Sequence, residues 1–344
     1  MKITRRSRFI LIFLVAILAW LGFAVLLEPD LPKEVVDAKY SSPASRFLSM
    51  DNGARVHYRD EGDPSDPPIM LVHGSNASLH TWGPWVGQLR DNYRVITMDL
   101  PGHGLTGAVP DRDYSMTAFV NTVSAVADHL EIPNFILGGN SMGGGVTWHF
   151  ALAHPERVNA LVLVDSSVPG DWNTGRQPGN KGSGPIAFRL FSQPWFQRIG
   201  SRLDPYLLVA QGVRSAYYDT SLVNNELINR YHELSLREGS RQATLDRFQA
   251  FDPRSLASAD LSAIEQPTLI MWGTEDALIP VDHAYRLERE LKNPALVIYE
   301  EVGHLPMEEI PDRSAQDLIV FLERVLEPAK ASSGSIPDSA HSGQ

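Results

Sequence analysis

A serine set among small residues is the position in this sequence best placed to do chemistry. The pentapeptide Gly-Asn-Ser-Met-Gly is centred on Ser141, follows a short apolar run at 135–138 and is followed by two more glycines. A serine on a sharp turn between a strand and a helix is held in a strained backbone, and small neighbours allow the turn to close. Its hydroxyl becomes a nucleophile when a neighbouring base removes the proton. The pattern therefore predicts that Ser141 is a catalytic nucleophile.

This turn and its surroundings resemble the α/β-hydrolase superfamily, specifically its capped, esterase-like and lipase-like serine members. The resemblance covers about residues 46–327. It implies that Asp276, which follows a late strand, is the catalytic acid and that His304, which follows the last strand, is the catalytic base. The chain order of serine, aspartate and histidine is the one expected for this fold. Asp165, at the end of another strand, and Glu275 are the alternative acids.

The resemblance also implies a role for each of these side chains and for two backbone amides. His304 would remove the serine proton and later protonate the leaving alcohol, while Asp276 would hold the imidazole in the correct tautomer. An oxyanion hole needs two N–H donors, and the resemblance assigns them to Met142, directly after the nucleophile, and to Ser75. Asn76 is the alternative to Ser75.

Two kinds of segment alternate along the chain and would position these residues. Short, continuous apolar runs are typical of parallel strands that are covered on both faces. Such runs lie at 69–72, 94–98, 135–138, 160–164, 268–272 and 295–299. The predicted helices lie at 82–89, 116–130, 142–153, 282–291 and 313–326. Two further strands, at 46–50 and 55–59, are joined by an Asn-Gly turn. The sequence therefore predicts a doubly wound α/β fold with a mostly parallel sheet.

The interval 167–256 breaks this alternation and is predicted to be a helical cap inserted over the sheet. It opens with a stretch rich in Gly, Pro and Asn at 170–185 and continues with apolar helical segments at 186–191 and 206–213. Its aromatic residues either line an apolar acyl pocket or form the core of the cap itself. The tail at 328–344 is rich in Ser, Ala, Gly and Pro and is expected to be disordered.

A 19-residue run without a charge, from Phe9 to Leu27, precedes the predicted domain. As a helix it would span roughly 28 Å, close to the hydrocarbon core of a bilayer. Because basic flanks stay in the cytoplasm, we expect a single-pass membrane anchor with the catalytic domain on the extracytoplasmic side, which is the periplasm in a Gram-negative bacterium. A cleaved signal peptide is the alternative, although large apolar residues at the end of the run suit a cleavage site poorly. Residues 28–45, which contain three prolines, are expected to form a polar stalk.

The composition excludes several classes of chemistry and of partner. There is no cysteine, which excludes disulfides, a thiol nucleophile and thiolate-ligated metal sites. The net charge is −11, and residues 1–27 contain four basic residues and no acid, so the rest of the chain carries −15. Such an acidic body repels nucleic acids and disfavours strongly anionic substrates. No histidine spacing indicates a metal, no nucleotide-binding loop indicates a cofactor, and nothing identifies a protein partner.

Three functions are compatible with the sequence. The first is a carboxylesterase or lipase-like hydrolase that acts on uncharged, apolar small-molecule esters, lipid-like ones included, through an acyl intermediate on Ser141. The second uses the same triad on a carbon–carbon bond of a diketone-type acid, on a lactone or in a cofactor-free perhydrolase reaction. The third is a non-catalytic, membrane-tethered binding protein on a hydrolase fold, against which the complete set of Ser141, Asp276 and His304 counts.

Overall fold

The computed structural model describes residues 26–170, 190–191, 193–250 and 259–332. Its strands are β1 (Ser45–Ser49), β2 (Arg55–Glu61), β3 (Pro68–Val72), β4 (Arg94–Met98), β5 (Phe135–Asn140), β6 (Val158–Val164), β7 (Thr268–Gly273) and β8 (Pro294–Tyr299). They form one sheet in the order β1-β2-β4-β3-β5-β6-β7-β8. β2 pairs antiparallel with β1 and with β4, and the other paired strands are parallel. The mostly parallel sheet predicted from the sequence is therefore confirmed.

Helices cover both faces of the sheet, which buries its central strands. Every residue of β5 and of β7 is buried, as continuous apolar runs predict. Met70 and Leu71, neighbours in β3, belong to two different apolar clusters, because successive side chains of a strand point to opposite faces. The core is therefore divided into two layers, one on each side of the sheet.

The described helices are α1 (Lys33–Tyr40), α2 (Gly83–Leu89), α3 (Met116–His129), α4 (Met142–Ala153), α5 (Pro194–Ile199), α6 (Tyr206–Ala216), α7 (Asn225–Leu236), α8 (Ser240–Ala250), α9 (Asp282–Glu290), α10 (Pro306–Glu309) and α11 (Pro311–Ser332). α4 has the bounds that the sequence predicts. Ser115 caps α3 by accepting a hydrogen bond from the amide of Ala118 (3.2 Å). α11 runs to Ser332, into the segment 328–344 that was expected to be disordered, and residues 333–344 lie outside the described part.

The chain between β6 and β7 holds helices α5 to α8 in its described part. The predicted segment 206–213 forms most of α6. α7 packs against both α6 and α8. Residues 171–189 and 251–258, and with them most of the predicted segment 186–191, lie outside the described residues.

The segment that precedes the sheet is folded against this inserted region. Residues 28–45, expected from the sequence to be a polar stalk, contain α1. Val36 of α1 is 1% exposed and lies in an apolar cluster with Leu234 of α7. Asp37 forms an ion pair with Arg237 (2.8 Å). The three prolines predict an extended chain. The helix forms because Val36 and Asp37 contact residues far away in sequence, and such contacts leave no local pattern in the sequence.

The predicted membrane segment from Phe9 to Leu27 lies almost entirely outside the described residues, which begin at Leu26. Among the residues that the structure describes, no helix combines the length and the apolar character needed to cross a membrane.

Candidate active site

Ser141 lies on the turn between β5 and α4, with a positive φ of 56°. Glycines make this turn possible because backbone approaches it closely from two sides. A Cβ on Gly143 would lie 2.1 Å from the carbonyl oxygen of Val72, and one on Gly139 would lie 2.2 Å from the carbonyl oxygen of Gly143. Neither position has room for a side chain. The strained turn that the sequence predicts is therefore present, and it presents Ser141 at the carboxyl edge of the sheet.

Asp276 and His304, which are 28 residues apart in sequence, are brought together at the same edge. Asp276 follows β7 and His304 follows β8, and Asp276 Oδ2 lies 2.6 Å from His304 Nδ1. Asp276 Oδ1 accepts hydrogen bonds from the amides of Leu278 (2.7 Å) and Ile279 (3.0 Å). The carboxylate therefore fixes the imidazole tautomer with its proton on Nδ1, which leaves the Nε2 lone pair to act as a base.

Asn140, the residue before the predicted nucleophile, joins the serine turn to the histidine loop. Its Nδ2 donates to the carbonyl oxygen of His304 (3.1 Å) and to that of Val164 (3.2 Å). The side chain is 1% exposed. Sequence reasoning missed this role because an asparagine before such a serine has no pattern that distinguishes it from a spacer.

The histidine loop is also tied to the inserted region. The amide of His304 donates to the carbonyl oxygen of Ala216, at the end of α6 (2.8 Å). Glu309 bridges the two segments, accepting from the amide of Gly303 at Oε1 (2.7 Å) and from that of Tyr218 at Oε2 (2.7 Å). The inserted region therefore helps to set the position of the candidate base.

Asp165, the alternative acid considered from the sequence, is the third member of a compact group with Asp276 and His304. Ligating atoms of the three residues lie within 4.8 Å of one another. Asp165 Oδ1 accepts from the amide of Gly273 (3.1 Å). Burial and the neighbouring Asp276 raise the pKa of Asp165 well above its usual range. His304 and two backbone amides occupy the oxygens of Asp276, whereas Asp165 Oδ2 is buried without a hydrogen-bond partner among the described residues.

The loop after β3 reaches the nucleophile from the other side. A Cβ on Gly74 would lie 3.1 Å from the Cβ of Ser141. The loop is braced by His73, whose Nδ1 donates to the carbonyl oxygen of Gly74 (2.7 Å) and whose Nε2 accepts from the amide of Leu100 (3.1 Å). The next residue, Ser75, is half-buried. The loop that carries Ser75 therefore lies against the candidate nucleophile.

Met142, the second predicted donor, is the first residue of α4 and is 3% exposed. The first amides of a helix have no partner within it, and the helix dipole adds a partial positive charge there. Asn76, the alternative to Ser75, has a φ of 58° and an exposed side chain. The roles of Met142, Ser75 and Asn76 in oxyanion binding remain predictions.

Comparison with known proteins agrees with the observed fold. The family model for the alpha/beta hydrolase fold matches residues 67–311. A 2-hydroxy-6-oxononadienedioate/2-hydroxy-6-oxononatrienedioate hydrolase of Escherichia coli strain K12 is 29% identical over 287 residues, which are 81% of this chain and 96% of that protein. The crystal structure of a mutant of CumD, a meta-cleavage product hydrolase, is 25% identical with a TM-score of 0.68, over 82% of this chain and 98% of that one. A membrane phospholipase A, 24% identical with a TM-score of 0.67 over 94% of this chain and 99% of that one, shares the fold.

Proposed function

The chain belongs to the alpha/beta hydrolase family, and we propose that it is a serine hydrolase that cleaves carboxylic esters through an acyl intermediate on Ser141. One observation carries the proposal: His304 is held by Asp276 at 2.6 Å, beside a strained turn that carries a serine. An imidazole oriented by a carboxylate is the partner that a serine hydroxyl needs to become a nucleophile.

Acylation begins when His304 Nε2 takes the proton of the Ser141 hydroxyl as the oxygen attacks the ester carbonyl carbon. The carbonyl oxygen becomes an oxyanion, which accepts hydrogen bonds from the amides of Ser75 and Met142. The tetrahedral intermediate then collapses. The carbon–oxygen bond to the alcohol breaks, His304 returns the proton to the leaving oxygen, and the acyl group remains on the serine.

Deacylation repeats these steps with water in place of the serine. His304 removes a proton from the water, which attacks the acyl carbon, and then protonates Ser141 as the carboxylic acid leaves. Asp276 stabilises the imidazolium that forms in each half of the reaction. Each oxyanion donor contributes about 2.7–4 kcal/mol to transition-state stabilisation.

Hydrolysis of a carbon–carbon bond is the second candidate function, because two of the similar proteins carry names of that kind. The E. coli hydrolase is named for 2-hydroxy-6-oxo acids, and CumD for a meta-cleavage product. In that reaction the same triad would act on the ketone carbonyl of a diketone-type acid, and the leaving group would be a carbon acid in place of an alcohol.

A substrate panel separates these functions. The full-length protein and its Ser141→Ala variant would be assayed on p-nitrophenyl esters from acetate to palmitate and on a 2-hydroxy-6-oxodienoate. We expect ester turnover that vanishes in the variant, and the preferred chain length would give the size of the acyl site. Turnover of the dienoate with no ester hydrolysis would replace the first function with the second, and turnover that survives in Ser141→Ala would contradict both.

A further inference from the structure

A buried guanidinium stands beside the loop that carries the predicted oxyanion donor. Arg247 of α8 is 7% exposed. One of its amino groups donates to the imidazole of His103 and the other to the side-chain oxygen of Asn76. Both acceptors are neutral groups, and within the part of the chain that the structure describes no carboxylate forms an ion pair with Arg247.

Other arginines at the same end of the molecule are neutralised. Arg241, also on α8, pairs with Asp30 (2.7 Å), and Arg237 pairs with Asp37 (2.8 Å). Arg247 differs because its hydrogen-bond partners in the described part of the chain, His103 and Asn76, supply only lone pairs. His103 Nδ1 lies 3.0 Å from the carbonyl oxygen of Pro101, which leaves Nε2 as an acceptor for the guanidinium.

The charge on Arg247 persists at neutral pH in spite of its burial. Desolvation lowers the pKa of Arg247 to about 9, which is still above 7. Desolvation and the nearby guanidinium lower the pKa of His103 well below its usual range, so His103 is neutral and all the positive charge stays on Arg247. A buried charge without a counter-ion is costly, and an anion brought by a ligand would remove that cost.

The position of this charge points to the substrate as the source of the anion. Asn76 directly follows Ser75, and Gly74 of the same loop lies so near the nucleophile that an added Cβ would be 3.1 Å from the Cβ of Ser141. His103 lies against His73 of that loop, with the ring centroids 4.9 Å apart. α8 therefore brings a positive charge to the edge of the region in which the reacting carbonyl group would lie.

We propose that Arg247 binds a carboxylate of the substrate, so that the hydrolase acts on esters that also carry an anionic carboxylate group. The proposal rests on the proposed function, because it places a substrate beside Ser141. A carboxylate matches the planar, bidentate fork of one guanidinium in charge and in shape. The negative charge of the whole chain disfavours anions at long range, whereas this contact acts at short range, where water does not screen it.

A matched pair of substrates tests the proposal. Mono(p-nitrophenyl) glutarate ends its acyl chain in a carboxylate, and methyl p-nitrophenyl glutarate has the same chain with the charge removed. The matching succinate and adipate pairs vary the distance between the scissile ester and the carboxylate. We expect the wild type to prefer the charged ester. In Arg247→Met we expect kcat/KM for the charged ester to fall about 10- to 100-fold, the usual range for a lost charged hydrogen bond, with the methyl ester largely unaffected. Arg247→Lys should recover part of the preference.

Two controls guard against a purely structural role. Arg112→Met removes an exposed guanidinium that binds Asp246 of α8, the helix that carries Arg247 (2.6 Å). This variant should leave the ratio of kcat/KM for the two substrates unchanged. If Arg247→Met fails to fold, Asn76→Asp neutralises the guanidinium in place and should abolish the preference for the charged ester. Asparagine and aspartate both tolerate the positive φ of this position.

The outcomes separate this proposal from the proposed function. Turnover of the methyl esters with no preference for charge in any pair would overturn the carboxylate site alone. An equal loss on both substrates in a folded Arg247→Met would also overturn it, because Arg247 would then only tie the inserted region to the loop. No turnover of any ester would remove the proposed function and, with it, the reason to place a carboxylate beside Arg247.

Discussion

Asp165 and Asp276 stand at the ends of the neighbouring strands β6 and β7, with carboxyl oxygens within 4.8 Å of each other and of His304. The two carboxyls differ in their hydrogen-bond partners and in their environment. Asp276 accepts three hydrogen bonds, one of them with His304 Nδ1. Asp165 is buried, and its burial and the neighbouring Asp276 raise its pKa. The candidate acid is therefore Asp276, because it is the carboxyl that contacts His304 Nδ1.

Amide substitutions should separate these two roles. Asp276→Asn removes the carboxylate that fixes the imidazole tautomer, and we expect kcat to fall by about 10⁴, as in serine-protease triads. Asp165→Asn keeps the shape of the side chain and leaves the contact between Asp276 and His304 in place, so kcat should stay within about tenfold of the wild type. Steady-state ester hydrolysis measures both. A larger loss in Asp165→Asn than in Asp276→Asn would mean that Asp165 is the acid.

The same variant should change how stability depends on pH. Because the folded protein raises the pKa of Asp165 above its model value of 3.8, the stabilisation linked to its proton is complete below about pH 4. It is lost as pH rises through the folded pKa, at up to about 1.4 kcal/mol per pH unit. Asparagine does not titrate. The unfolding free energy of the wild type should therefore fall relative to that of Asp165→Asn as pH increases.

Urea unfolding at several pH values between 4 and 8 gives this difference directly. Asp91→Asn, at an exposed position, is the matched control for the loss of one carboxyl group. A constant difference between the wild type and Asp165→Asn over the whole range would show that Asp165 is ionised in the folded protein.

The serine turn should not tolerate a methyl group at Gly143. A Cβ there would lie 2.1 Å from the carbonyl oxygen of Val72, so β3 and α4 would have to separate. We expect Gly143→Ala to lower the unfolding free energy by about 1–3 kcal/mol and to reduce ester hydrolysis. The control is Gly87→Ala in α2, where a Cβ would meet nothing within 4 Å; removing a helical glycine should stabilise the protein by about 0.5–1 kcal/mol. Equal stability of the two variants would contradict this account of the turn.

The sheet and the serine turn could be predicted from the sequence because their signals are local. A continuous apolar run such as β7 predicts a buried strand, and a serine between small residues predicts a sharp turn. α4, which begins at Met142, follows from the same pattern. By contrast, the prolines in 28–45 predicted an extended chain and gave no sign of α1. This helix is stabilised by contacts with α7 and with Arg237, which is 200 residues away from Asp37 in sequence.

The parts of the site that sequence reasoning missed depend on long-range contacts between side chains. The sequence offers Asp165 and Asp276 as alternative acids. Only the fold shows that their carboxyl oxygens lie within 4.8 Å of each other and that Asp276 contacts His304. Asn140 looks like a spacer in the pentapeptide. Arg247 is one of 30 lysine and arginine residues, and no spacing of residues reveals that it has no carboxylate partner among the residues that the structure describes.

Covalent labelling of Ser141 is the most direct test of the central claim. The full-length protein would be treated with a fluorophosphonate, which reacts with activated serines, and the adduct would be located by peptide mass spectrometry. The account predicts one adduct, on Ser141, that is absent in Ser141→Ala and forms far more slowly in His304→Ala. No adduct, or one on a different residue, would contradict the assignment of Ser141 as the nucleophile.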